Sequence, residues 1–211
     1  VEGRLEQILG GLPDDRSQSA AAEEAPLAVH CAEPVAPCGK WLDVDASYLE
    51  CRDGSHLDPA QAVCLGRLKH MGFQGNSFTG LSREQDLLEL ETLKIESASF
   101  QDLSPFRTAT NLRRLVVRGT ELTDLSPLAG FEHLQEVDLS NNKVKNLDAL
   151  AGLTHVEKLD LSGTHVEDLA PLRNLTRLRW LSVSHTPVED LGPLMQLEAL
   201  EELDASETRV R

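Results

Sequence analysis

Leu134-Gln-Glu-Val137-Asp-Leu139-Ser-Asn-Asn142-Lys-Val144-Lys-Asn-Leu147-Asp-Ala-Leu150-Ala-Gly-Leu153 is followed by Val156-Glu-Lys-Leu159-Asp-Leu161-Ser-Gly-Thr164-His-Val166-Glu-Asp-Leu169-Ala-Pro-Leu172-Arg-Asn-Leu175. A shift of 22 residues superimposes their apolar positions, and the same shift places copies at Leu68, Leu90, Leu112, Leu134, Val156, Leu178 and Leu200 without insertion. Six copies are complete and the seventh is truncated. An echo lies upstream, where Leu49 and Cys51 fall at the positions of Met71 and Phe73. Repetition at this period marks a solenoid.

The alternation L-x-x-L-x-L predicts a short strand with one buried face. Its inward columns are Leu115, Val137, Leu159, Leu181, Leu203 and Val117, Leu139, Leu161, Val183, Ala205. A turn follows, then another apolar column (Leu122, Val144, Val166, Val188, Val210). Ser104-Pro105, Ser126-Pro127 and Asp148-Ala149 read as an N-cap followed by the first residue of a helical turn, where proline's missing amide costs nothing. So few residues remain before the next strand that this element is a single 3₁₀ or short α turn. A strand and a turn cannot cover their own apolar faces, so each copy needs its neighbours.

Two polar columns accompany the apolar ones. Asn76, Ala98, Thr120, Asn142, Thr164, Thr186 and Thr208 follow the strand and are suited to bond backbone groups of the bend. Ala98 cannot do so, which predicts a looser bend there. Asp102, Asp124, Asn146, Asp168 and Asp190 precede the turn and read as backbone caps rather than a calcium ladder, because one carboxylate per layer is too few oxygens.

The pattern L-x-x-L-x-L-x-x-[NT]-x-[VL]-x-D-L-x-P-L-x-x-L resembles the 22-residue leucine-rich repeat of the internalin type over residues 68–211. The resemblance implies an α/β fold: a right-handed arc-shaped solenoid with a parallel concave sheet, short 3₁₀ or helical turns on the convex side, and protein binding on the concave face. Frequent Thr in place of Asn departs from the usual Asn ladder.

Charge narrows the partner. The chain has 211 residues, 35 Asp and Glu against 20 Lys and Arg, and a net charge of −15. Nucleic acid and anionic membranes are poor partners for such a chain. Residues 1–65 hold twelve acids and four bases, and the remainder twenty-three and sixteen, so over half the imbalance lies outside the repeats. No run of apolar residues is long enough to span a bilayer. G-x-S-x-G, P-loop and H-E-x-x-H patterns are absent, and neither catalysis, metal nor cofactor is expected.

All four cysteines, Cys31, Cys38, Cys51 and Cys64, lie in the first third, and no Cys-x-x-Cys occurs. That distribution reads as two disulfides in an oxidising compartment rather than a zinc site. Three connectivities are open. If Tyr48–Arg52 forms a strand beside Met71, Cys51 points inward and Cys64 lies on the returning side, which favours Cys51–Cys64 with Cys31–Cys38. The expected organisation is a helix or tether over 1–30, with Val1, Leu5, Ile8, Leu9 and Leu12 on one helical face. A cysteine-bearing cap follows over 31–66, with Trp41 and Leu42 over the first layer, and repeats over 67–211. The truncated last copy serves as a thin cap or continues in a longer protein.

Register assigns three outward columns. They are His70, Thr92, Arg114, Glu136, Lys158, Trp180, Glu202; then Gly72, Lys94, Val116, Asp138, Asp160, Ser182, Asp204; then Gln74, Glu96, Arg118, Ser140, Ser162, Ser184, Ser206. At about 4.8 Å per strand the face is roughly 30 Å across. The candidate partner-binding residues are Lys94, Arg114, Val116, Arg118, Glu136, Asp138, Lys158, Asp160, Trp180 and His185. Trp180 is an outward aromatic of the kind enriched at binding hot spots, or it stacks with Arg179 or Lys158. The basic Lys94, Arg114 and Arg118 either form one pole of a bipolar face or are neutralised across strands, as Arg114 by Glu136 and Lys158 by Asp138. The expected protein is a monomeric, non-catalytic, extracytoplasmic binder of another protein, with a membrane tether possible upstream of residue 1. The alternatives are an adhesion or envelope-scaffold module for glycan or cell wall, which a single aromatic disfavours, and a regulatory subunit of an enzyme.

Overall fold

The computed structural model describes residues 29–30, 48–51, 68–74, 87–96 and 98–210, the first two segments by backbone path alone. Nine strands form one sheet in chain order. They are β1 (Val29–His30), β2 (Tyr48–Cys51), β3 (His70–Gln74), β4 (Thr92–Glu96), β5 (Arg114–Val117), β6 (Glu136–Asp138), β7 (Lys158–Asp160), β8 (Trp180–Ser182) and β9 (Glu202–Asp204). Every neighbouring pair is parallel, and from β2 onward each register step is 22 residues. The repeat period of the sequence is thus the ladder register of the sheet.

The upstream echo is a strand. Leu49 pairs with Met71 and Cys51 with Phe73, as the shift of 22 predicts. The sheet continues one strand further, because Val29 pairs with Leu49 inside the stretch expected to be tether. The expected helix over residues 1–12, the packing of Trp41 and Leu42, and the side chains of all four cysteines lie outside the described residues.

On the side opposite the sheet, among the described residues, lie five 3₁₀ turns: η1 (Ser104–Phe106), η2 (Ser126–Gly130), η3 (Asp148–Leu150), η4 (Ala170–Asn174) and η5 (Gly192–Gln196). Each closes on a leucine carbonyl, as in Leu128 N–H to Leu125 O at 2.8 Å. The caps differ from expectation. The serines at the starts of η1 and η2 are the first turn residues, and the capping oxygen comes from the Asp column two residues earlier. Asp102, Asp124, Asn146, Asp168 and Asp190 accept the backbone N–H of Ser104, Ser126, Asp148, Ala170 and Gly192 at 2.6–2.8 Å. These are Asx turns, and their regular placement is why the Asp column recurs.

The core is a continuous stack of leucines and valines between sheet and turns. In the fourth copy Leu134, Val137, Leu139, Val144, Leu147, Leu150 and Leu153 are all nearly inaccessible to solvent. The N-terminal layers are not purely aliphatic, since Phe73, Phe100, Phe106 and Phe131 are fully buried. Phe100 meets Phe106 edge to face with centroids 6.3 Å apart.

The bend after each strand is held by the second polar column. Thr164 and Thr186 donate to the carbonyls of Leu161 and Val183, three residues back in their own coil, at 2.6 and 2.5 Å. Asn142 reaches two coils at once, with Nδ2 donating to Leu139 O at 2.8 Å and Val117 O at 2.6 Å. Ala98, lacking a polar group, is exposed rather than turned inward. Asn76 lies outside the described residues. Among the described residues no buried side-chain nitrogen or oxygen lacks a hydrogen-bond partner.

Candidate functional site

Strand alternation turns the three outward columns onto the open face of the sheet, but unequally. The first column stands proud: Arg114, Glu136, Lys158 and Glu202 are exposed, and Trp180 is partly so. The second is recessed, with Val116 8% and Ser182 3% accessible. Ser140 and Ser184 in the third are also buried. Val116, one of the expected binding residues, is buried on this face.

In the N-terminal half the cations are internally bonded. Glu96 is the hub. Its Oε1 receives Arg118 Nε at 2.6 Å, and its Oε2 receives Lys94 Nζ and Gln74 Nε2 at 3.0 Å each. Burial alone would raise the Glu96 carboxyl, but the hydrogen bonds from Arg118 and Lys94 outweigh it and hold the group below the usual carboxylate range. The Arg118 guanidinium is also 3.6 Å from Asp138, and Arg114 meets Glu136, its register partner, at 3.3 Å. The basic patch is thus neutralised, Lys94 by Glu96 on its own strand and Arg114 and Arg118 across strands. Glu96 had been placed on this face by register but not among the candidate residues; its position between Lys94 and Arg118 in the column map was the available signal.

The C-terminal half is differently built. Lys158 does not turn to Asp138 but places its Nζ 4.9 Å from the Trp180 ring centroid, one strand away in register. The carboxylates of Asp138, Asp160 and Asp204 each accept the backbone N–H of the serine two residues on, at 2.9–3.0 Å. Asp138 and Asp160 are register partners on adjacent strands. Burial pushes the Asp160 carboxyl up, and Asp138 adds to the rise against hydrogen bonds from Ser162 and the pull of Lys158. Asp138 and Asp160 are therefore both face residues and turn anchors.

His185 lies just past β8 in a left-handed turn (φ 55°). Its column is Gly119, Asn141, Gly163, His185 and Glu207, and all five have positive φ. Its side chain is exposed at the rim of the sheet. A shallow concavity of about 350 Å³ lies on the other rim, lined by Lys69, Leu88, Glu89, Glu91, Asn111, Arg113 and His133. Lys69 there is paired with Glu91 at 3.2 Å. Among the described residues no cluster of three or more His, Cys, Asp or Glu side chains could hold a metal.

This geometry meets known proteins at several points. The family model described as Leucine Rich repeats (2 copies) matches residues 110–152 and 132–174. An internalin (inlF) of Listeria monocytogenes is similar in structure, with TM-score 0.68, 25% identity, and cover of 76% of this chain and 46% of that one. Internalin C2 of the same organism gives TM-score 0.69, 27% identity, and cover of 75% and 70%. Residues 110–174 thus match leucine-rich repeats, and the chain is similar in structure to internalins. A leucine-rich repeat protein of Leptospira interrogans shares the fold at TM-score 0.65 and 21% identity, with cover of 72% and 40%. The chain spans less than half the length of the inlF and Leptospira proteins. No curated protein matches it significantly by sequence. Among the described residues no helix is long and apolar enough to cross a membrane.

Proposed function

We propose that this internalin-like chain is a non-catalytic binding module that engages a protein partner across its concave sheet. The observation that carries the reading is the placement of Trp180. Phe73, Phe100, Phe106 and Phe131 are packed inside, whereas this ring stands on the open face of the repeats. In the N-terminal half the face is ordered by cross-strand ion pairs, and Lys158 is held over the ring itself, so these side chains meet a partner with less conformational entropy left to lose. Leucine-rich repeat scaffolds present such faces without catalytic groups, and the structural similarity to internalins supports an extracytoplasmic location. The reading includes a monomeric state, no cofactor, and a cap over 31–66 stapled by Cys31–Cys38 and Cys51–Cys64.

The test is capture of partners from the native envelope fraction by wild type, Trp180→Ala and Arg114→Glu/Arg118→Glu. A partner held by wild type and lost by either variant is expected. Identical captures by all three remove this face from consideration. Peptide mapping under non-reducing conditions checks the cap separately, and a linked Cys38–Cys51 peptide would sink the proposed pairing.

A further inference from the structure

The two halves of the sheet face differ in what they leave unsatisfied. In the N-terminal half Lys94, Arg114 and Arg118 are each paired with a carboxylate. In the C-terminal half Asp160, Glu202 and Asp204 take part in no ion pair among the described residues. They surround one ring. Trp180 on β8 has Lys158 and Glu202 as its register partners on β7 and β9. Two residues along the strand, Ser182 lies between Asp160 and Asp204. Because β8 carries serine where β7 and β9 carry aspartate, the floor beside the ring is low and flanked by carboxylates. Ser182 is buried there, with its hydroxyl 3.1 Å from that of Ser184.

A ring face bordered by carboxylates outside any ion pair attracts cations, most strongly a guanidinium, which can stack on indole and bond to carboxylates in one plane. The chain already shows the preference. The nearest available ammonium, that of Lys158, sits over the ring rather than in an ion pair with Asp138. We infer that Trp180, Asp160, Glu202 and Asp204 form the docking point for an arginine or lysine side chain of a protein partner. In that arrangement Lys158 covers the ring when the partner is absent. This rests on the concave-face reading and adds the chemistry of what that face takes: a basic segment, matched by charge to this half of the sheet.

Calorimetric titration of the full chain at low salt with acetyl-tetraarginine amide, and with acetyl-tetraglutamate as counter-probe, tests the inference. Saturable binding of the arginine peptide alone is expected. Trp180→Ala should weaken it by about fivefold or more, as should the near-isosteric Asp160→Asn/Glu202→Gln pair. Glu167→Gln/Glu189→Gln, which removes equal charge from exposed positions off the sheet, should change it by less than about twofold. Lys158→Ala should strengthen it, because the ring loses its internal cation; a residue that merely supported Trp180 would give the opposite sign. No saturable binding, equal losses in both charge-neutralising pairs, or weakening by Lys158→Ala each overturns the inference. A partner captured from the envelope that is lost with Arg114→Glu/Arg118→Glu but kept with Asp160→Asn/Glu202→Gln would overturn it too, while leaving the concave face standing.

Discussion

The Thr120 hydroxyl donates to Asn142 Oδ1 at 2.5 Å, across one full coil. Asn142 in turn donates to the carbonyls of Val117 and Leu139, so one amide joins two coils through three buried bonds. The threonines at 164 and 186 bond within their own coil. The described bends are therefore cross-linked by a side chain at one place, in the middle of the solenoid.

Asn142→Ala should leave the Val117 and Leu139 carbonyls and the Thr120 hydroxyl without this partner, destabilising the fold by about 3 kcal/mol. Asn142→Thr should cost less, because a threonine here can bond Leu139 O as Thr164 bonds Leu161 O. Urea denaturation of the two variants checks the order. Equal losses would mean that the inter-coil bonds contribute nothing beyond the local one.

The left-handed column supplies a second prediction. Gly163 has φ 65°, and a Cβ built on it would fall 2.5 Å from Asn141 Oδ1. Gly163→Ala should therefore cost about 1–2 kcal/mol in backbone strain and also displace the Asn141 side chain. His185 carries strain of the same kind at φ 55°. His185→Gly should raise stability by up to about 1 kcal/mol, read as a higher thermal midpoint. A lowered midpoint would show that the imidazole makes a stabilising contact.

Why some of this was legible in the sequence and some was not follows from the two kinds of spacing involved. The shift of 22 is both the repeat and the ladder register, so strand order, inward columns and the β2 echo could be read directly. The Asp column read as backbone caps is one, but Ser104, Ser126 and Asp148, read as N-caps, are first turn residues; Ser and Asp both suit an N-cap, and which supplies the oxygen depends on backbone dihedrals two residues apart. Arg118 was placed on the correct face, but a long side chain can reach acids on either neighbouring strand, and Glu96 and Asp138 are one ladder step away on opposite sides. The burial of Val116 and Ser182 depends on the bulk of neighbouring columns, which no single strand's alternation contains. The four phenylalanines that fill the N-terminal layers stand in the apolar columns of the repeat, which places them inside without dictating a ring.

The Asp column makes a third prediction. Asp124 accepts both the backbone N–H and the hydroxyl of Ser126 at 2.8 Å, and these bonds hold its carboxyl below the ordinary value. A depressed folded-state pKa means stabilisation that is complete above the unfolded value and lost as pH falls through the folded one. Asp124→Asn should retain the cap, as Asn146 does at Asp148 N–H, but lose that acid-side dependence. Asp124→Ala should lose both. Thermal melts of the three proteins between about pH 2 and 7 distinguish them; matching pH profiles for wild type and Asp124→Asn would refute the assignment.

Asp160 has the opposite sign. Its carboxyl is raised by burial and by Asp138, so the folded state binds its proton more tightly than the unfolded chain. Stability from this group therefore falls as pH rises from the unfolded value through the folded one, and at neutral pH the ionised carboxylate is a net cost. Asp160→Asn keeps an oxygen for the Ser162 N–H bond at 2.9 Å while removing the charge beside Asp138. The variant should be at least as stable as wild type at pH 7, and its advantage should shrink as the solution is acidified. Retaining a destabilised charge at a position that an amide could fill is what a surface selected for binding cations would do, so the same substitution that steadies the fold should weaken the arginine peptide. A variant that loses stability at pH 7 would show that the Asp160 carboxylate has a favourable partner in the folded chain, and would remove the link between its raised proton affinity and the cation-docking face.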